Sequence, residues 1–549
     1  MKIRFILFAL TAIISVFSLS ASAQTYAITN ARIVTVSGAP VENGTIVVRD
    51  GLIESIGTNA KAPADAQVFN GSGLTVYPGF FDTLTNLGVQ SAPARPPGIG
   101  QAGQQAQAQA GQTASNSNYP DGLRPEETTA DNLKAGEAQF ETNRNAGFTT
   151  VLTVGRDGVF NGQSAVINLA GENVSTMIIK SPFAEHFSFA TLRGGQYPAS
   201  LLGTFSALRQ MFYDALRLQE IQKLYAASPL GMKRPEEDKS LEALIPVLNR
   251  QMPIVFNANR EIEIIRALDL AKEFNLKAII AGGQEAWKVA DRLKAQNVPV
   301  LLSLNFPKRT AAVSAEADPE SIEVLRLRAE TPKTAGKLQQ AGVKFAFQSG
   351  GMTSINDFYT NAGKSVENGL PKDAAIRAMT LNAAEILGVE NRLGSIEKGK
   401  IANLTVVRGD LFGKEKTVTH VFVDGKLFEQ KEKPKTPPTA PGAAAPTSGL
   451  ANVGGNYSIT INIPGQPVSG TLALTQQGAI LSGTMQTQLE TSPIKDGKVT
   501  AEGFSFGATV EFGGSQIDIF VKGTVTGNQI SGTIDSPQGV VPFSGTKNP

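Results

Sequence analysis

From Tyr26 to Val76 apolar and polar residues alternate in short runs, AITNARIVTV and then GTIVVRDGLIESIG. Asp50-Gly51 between two alternating segments predicts a two-residue hairpin, so this region reads as a small sheet. The rhythm changes between about 128 and 385. FTTVLTV (148–154) and MPIVFNA (252–258) read as strands, and the stretch 261–274 carries Ile264, Leu268 and Ala271 at helical spacing. KAIIAG (277–282) is the next strand, 284–295 a helix with Ala286, Val289 and Leu293 on one face, and VPVLLSL (298–304) a further strand. Strand followed by helix at this spacing predicts a parallel sheet covered by helices, for which a closed TIM-like (β/α)8 barrel is the commonest solution. After Leu387 the alternating pattern returns in IANLTVVRGD and THVFVDGKLFE, with a second hairpin expected at Asp424-Gly425.

Two stretches break the pattern. Residues 91–120 are rich in Gln, Ala, Gly and Pro and offer too little apolar surface to offset their ordering entropy, so a disordered insertion is expected there. A Pro-, Ala- and Lys-rich linker is expected at 431–449. The final hundred residues, 450–549, repeat Ser-Gly-Thr at 469–471, 482–484, 531–533 and 544–546 beside alternating apolar positions. They predict a separate antiparallel all-β domain, and the repeats themselves read as hairpin turns.

Composition adds three constraints. The 549 residues carry 50 Lys plus Arg against 48 Asp plus Glu, a balance that gives no reason to expect a nucleic-acid partner. No cysteine is present, which excludes disulfides and thiolate metal sites. At the N-terminus Lys2 and Arg4 precede an apolar run that ends in Ala21-Ser22-Ala23, the pattern of a cleaved secretory signal. The expected mature chain therefore starts at Gln24, contains no membrane span, and is periplasmic or secreted.

The segment Tyr77-Pro78-Gly79-Phe80-Phe81-Asp82-Thr83 and the later MTLNAAEILGVENRLGSIEKGKIANLTVV are similar to the opening and closing motifs of the amidohydrolase superfamily. The resemblance covers roughly residues 26–430. It implies a TIM-like barrel (79–385) beside a composite β-sandwich built from both flanks (24–78 and 386–430). It also implies a metal centre at the barrel mouth, and there this chain departs from the family. The His-x-His pair of the first strand corresponds to Leu84 and Asn86. Strand five, where His is expected, reads Phe256-Asn257-Ala258-Asn259-Arg260; Gly282 stands at the next His position, and the terminal Asp falls on Gly350. Only two histidines exist in the chain, His186 and His420, so the nitrogen ligands of a zinc site cannot be assembled. His420 reads as a residue of a sandwich strand; His186 falls near a slot where related secreted members carry a lysine ligand.

This pattern predicts no metal and no cofactor, with catalytic residues unknown. The lining expected at the mouth is polar: Asn86, Asn257, Asn259, Gln348 and Ser349, with Arg260 and Glu285 just beyond. Such amides either hydrogen-bond a ligand or hydrogen-bond one another. The leading expectation is a metal-free pseudoenzyme whose partner is a small molecule or an active homologous amidohydrolase subunit. Two alternatives stand beside it: a hydrolase of non-peptide carbon–nitrogen bonds by a metal-independent route, and an envelope-binding protein acting through the C-terminal β-domain.

Overall fold

The computed structural model describes residues 24–89, 119–120, 122–136, 138–155, 158–171, 173–192, 197–309, 320–352, 354–429, 451–463, 466–487, 491–500, 503–512, 515–536 and 539–548. The expected signal segment 1–23, the linker 431–449 and, apart from Tyr119 and Pro120, the insertion 91–120 lie outside them. Contacts divide the chain into two compact units, with the boundary at Glu432 and Lys433.

The first unit opens with β1 (Tyr26–Ile33), β2 (Val41–Arg49), β3 (Leu52–Gly57), β4 (Gln67–Asn70) and β5 (Leu74–Pro78). A second group follows: β6 (Phe80–Thr85), β7 (Phe148–Thr153), β8 (Phe160–Gln163), β9 (Ala165–Asn168), β10 (Ile178–Lys180) and β11 (Glu185–Ser188). It continues through β12 (Ile254–Ala258), β13 (Ala278–Gly282), β14 (Val300–Ser303) and β15 (Phe345–Gln348). The chain then returns through β16 (Leu404–Arg408), β17 (Thr417–Val423) and β18 (Lys426–Glu429).

Strands from the two flanks pair in one eight-stranded sheet, in which β16 lies antiparallel to β5. Both expected Asp-Gly hairpins form. Asp50 and Gly51 have φ of 52° and 79°, and Asp424 and Gly425 have 52° and 73°, the left-handed pair that matches a turn to the strand twist. Between the flanks, β11 to β15 run parallel in consecutive order, with β8 antiparallel on the outer side of β11. A further sheet has the order β10-β9-β7-β6. Side chains join β6 to β15: Thr83 Oγ1 donates to Phe347 O at 2.8 Å, and Ser349 N donates to Asp82 Oδ1 at 2.9 Å.

Alternate strand residues sort into two apolar clusters, as period-2 geometry requires. Phe81, Leu152, Val255, Ile279, Leu301 and Ala346 form one cluster. Their neighbours Phe80, Val151, Phe256, Ile280, Leu302 and Phe347 belong to the larger one, shared with helices such as Glu261–Glu273. The helix expected over 284–295 is two pieces, a 3-10 turn Ala286–Val289 and an α-helix Ala290–Ala295.

The second unit is all β, with its own apolar core that includes Tyr457, Leu472, Phe506 and Val521. Its strand Gln466–Gln477 pairs on one side with Gly455–Ile463 and on the other with Ile480–Thr487, so the sheet closes on itself. The Ser-Gly-Thr repeats are not turns. They lie inside strands, for example within Gln529–Ser536 and Gly539–Lys547. A Cβ on Gly532 would stand 2.0 Å from Lys522 O, and one on Gly545 would stand 2.2 Å from Ser458 O. Glycine is needed here for close approach of neighbouring strands in a small closed sheet, not for a reversal of direction.

Candidate functional site

The C-terminal ends of β11 to β15 are where a parallel sheet of this kind presents its chemistry. Asn257 sits there on β12, opposite Ser188 of β11. Its Nδ2 donates to Ser188 Oγ at 2.8 Å and to Asn161 Oδ1 at 3.0 Å, and Ser188 Oγ donates in turn to Asn161 Oδ1 at 2.7 Å. The amides thus hydrogen-bond one another through a hydroxyl. Asn161 and Ser188 were not legible as site residues, because each lies in a strand of four residues far from Asn257 in sequence.

The other candidates are placed as follows. Asn259 is exposed just beyond β12; its N–H donates to Glu263 Oε2 at 2.9 Å and its carbonyl accepts from Glu285 N. Arg260 is exposed at the start of helix Glu261–Glu273, its N–H also on Glu263. Gln348 is buried, with Nε2 donating to Leu301 O at 3.0 Å. Ser349 is buried and engaged through its N–H by Asp82. Asn86 is half-buried after β6, and Leu84 packs beside the cluster of Phe81 and Leu152. The structure therefore joins Asn257 to Asn161 and Ser188, and lays Asn259 against Gly282, while Gln348 and Ser349 tie strands together.

Two of the positions singled out in the sequence, Gly282 and Gly350, have backbone shapes of their own. Gly282 has φ of +99°, and a Cβ there would lie 2.4 Å from Asn259 Oδ1. Gly350 has φ of +61°, and its Cβ would lie 2.2 Å from Ser303 Oγ. A His or Asp at either place meets a left-handed backbone that L side chains adopt only at a cost. Gly282→Ala is accordingly expected to destabilise the first unit by about 1–3 kcal/mol even if Asn259 swings aside, a loss readable in urea unfolding. An unchanged midpoint would mean that the turn after β13 is not held in this conformation.

Two neighbouring residues of β11 are fully buried, and no regular hydrogen bond reaches their side chains. His186 shares a face with Ser188 and stands opposite Val255, on the side of the cluster formed by Phe81, Leu152 and Val255. Burial pushes its pKa down to about 3, so it is a neutral imidazole. Glu185 is on the opposite face, and burial, reinforced by the charge of Glu126, raises its pKa well above the usual carboxylate range. His420 is half-buried on β17, its Nδ1 3.0 Å from Thr419 Oγ1, away from this site. Among the described residues no three or more His, Cys, Asp or Glu converge on one point.

This donor set does not fit a zinc ion: amide groups, a leucine and two glycines supply neither imidazole nor carboxylate. Nor does it supply a base to Ser188, whose hydrogen-bond partners are both amides. What the arrangement can do is present neutral donors and acceptors to a ligand.

The fold and part of the sequence have known likenesses. Residues 263–428 match the sequence model of the amidohydrolase family. An amidohydrolase from Thermotoga maritima MSB8 is similar in structure, with a TM-score of 0.61 and 25% identity over 74% of this chain and 100% of that one. A putative prolidase from Bifidobacterium longum is a more distant likeness, with a TM-score of 0.43 and 18% identity over 74% of this chain and 95% of that one. A search of curated proteins finds no match in sequence. Residues 263–428 are thus similar in sequence to the amidohydrolase family, and the first unit is similar in fold to an amidohydrolase.

Proposed function

We propose that this protein is an exported, metal-free member of the superfamily that binds a small molecule or partners a metal-bearing homologous subunit, and does not itself hydrolyse carbon–nitrogen bonds through a metal. The observation that carries this reading is the state of the ligand positions. Leu84, Asn86, Asn257, Gly282 and Gly350 stand where the family places its donors, and the two glycines hold conformations hostile to replacement. A zinc site generates its nucleophile by lowering the pKa of a bound water from about 15.7 to about 7, and none of these five residues can take over that task. Neutral amides at Asn161, Asn257 and Asn259 remain to orient a polar ligand.

In this reading the two central sheets form one TIM-like barrel, closed where β6 meets β15 through Thr83 and Asp82. Export, to the periplasm or beyond it, is supported by Lys2, Arg4, the apolar run and Ala21-Ser22-Ala23. Among the described residues no helix is long and apolar enough to cross a membrane.

The test is a panel assay of amide and cyclic-imide hydrolysis, run with and without added zinc. The expected outcome is no zinc-dependent turnover. Turnover that rises with zinc and saturates at one ion per chain would overturn the reading.

A further inference from the structure

The N-terminal ends of the same strands enclose a second feature that the metal-derived site does not explain. A pocket of about 350 Å³ lies between the starts of β11 to β13 and the end of helix Lys239–Leu248. Phe183, Pro246, Met252 and Ile386 give it apolar walls, and Gln163 and Gln251 add amides. Two lysines face it, Lys180 from the end of β10 and Lys277 from the start of β13. The single carboxylate of the lining, Glu385, is already taken by Lys344 at 2.7 Å and Arg377 at 2.9 Å. Among the described residues neither Lys180 nor Lys277 has an ion-pair partner.

Lys180 is held in place. Its Nζ donates to Leu387 O at 3.1 Å and stands 5.2 Å from the centre of the Phe183 ring. Gly388 leaves it room, since a Cβ there would meet Nζ at 2.9 Å. Burial lowers the pKa of this ammonium, and the nearby charge of Lys277 lowers it further. Two cations thus sit beside an apolar cavity without an ion pair of their own among the described residues; Glu390 acts on Lys180 only as a weaker, opposing charge, and Glu385 is held by Lys344 and Arg377. Mostly apolar walls with a few convergent polar groups are the usual make-up of a small-molecule pocket, and this volume lies at the small end of their range.

We propose that this pocket binds a small organic carboxylate with an apolar tail, its carboxylate between Lys180 and Lys277 and its tail against Phe183, Pro246 and Met252. An inorganic anion would satisfy the lysines but leave the apolar walls unused; a neutral tail would leave the lysines unpaired. This site is at the opposite end of the strands from Asn257 and is independent of the reading of that end.

Ligand-observed saturation-transfer NMR on the full chain tests it, with hexanoate as probe and hexanol and inorganic phosphate as comparisons. Hexanoate should bind, with hexanol and phosphate each at least tenfold weaker. Lys277→Met should weaken hexanoate at least tenfold and Lys277→Glu should abolish it. Lys277 is exposed and bonds no backbone group through its side chain, so these variants spare the fold, whereas Lys180→Met also removes a contact to Leu387. Lys372→Met, which removes a cation paired with Asp410 elsewhere, should leave the affinity unchanged. Equal binding of hexanol, equal binding of phosphate, or a Lys277→Glu protein that still takes hexanoate would each overturn the proposal.

Discussion

Replacing Glu185 by Gln is expected to raise the unfolding midpoint at pH 7.5 and to leave it nearly unchanged at pH 4. Glu185 stands opposite Gln163 and Ile254, fully buried; no regular hydrogen bond reaches either carboxyl oxygen, and the backbone N–H of His186 favours the charged form less than burial opposes it. Burial first, and the charge of Glu126 second, favour its protonated form in the fold. In the unfolded chain the same group ionises near pH 4.3. Above that value the unfolded state binds fewer protons than the folded one, so stability falls as pH rises until the folded group ionises too. Each pH unit inside that window costs about 1.4 kcal/mol, and Gln, of the same shape, carries no proton to lose. The transition can be followed through Trp287, the single tryptophan, which lies in the first unit. A midpoint that drops at both pH values would show that the carboxylate makes a favourable contact.

The adjacent residue has the opposite slope. His186 has a folded pKa pushed down to about 3 by burial, against about 6.5 in the unfolded chain. Its neutral state contributes fully above pH 6.5, and that contribution is lost as pH falls from there towards 3, because the unfolded state takes up a proton that the fold refuses. The loss amounts to about 3 kcal/mol by pH 4.5. Where the windows of Glu185 and His186 overlap, their slopes oppose. His186→Met should therefore flatten the acid limb of stability by one proton, and at neutral pH it also removes two buried nitrogens that have no partner. Glu185→Gln should steepen the same limb. Urea unfolding of the two variants between pH 4.5 and 7.5 measures both, and a His186→Met profile parallel to the parent's would contradict the burial of a neutral imidazole.

These residues mark the limit of what the sequence discloses. Long alternating or 3.6-periodic runs announce themselves, so β12 to β14 and the helix after β12 fall within two residues of their expected limits. Asp-Gly pairs foretell both hairpins because few residues tolerate two successive positive φ values. The stretch from Phe160 to Ser188 gave no such signal: its strands are three or four residues long, and β8 and β9 run antiparallel to their neighbours. Burial of Glu185 there defies its residue type. Ser-Gly-Thr carries the local chemistry of a turn, yet strand crowding in a closed sheet decides its place. Asn257 could be singled out by its position in a motif, but its partners Asn161 and Ser188 are fixed only by tertiary pairing.

Metal content of the purified mature protein, read together with its thermal midpoint before and after a strong chelator, tests the central claim most directly. In a metal-bearing relative, stripping the ion leaves converging polar groups unsatisfied, at about 1–3 kcal/mol each, and lowers the midpoint by mass action. Here Leu84, Asn86, Asn257, Gly282 and Gly350 leave nothing for the chelator to uncover. The predicted result is zinc at background level and an unchanged midpoint. One zinc per chain that resists dialysis, with a chelator-induced fall of several degrees reversed by added zinc, would contradict it.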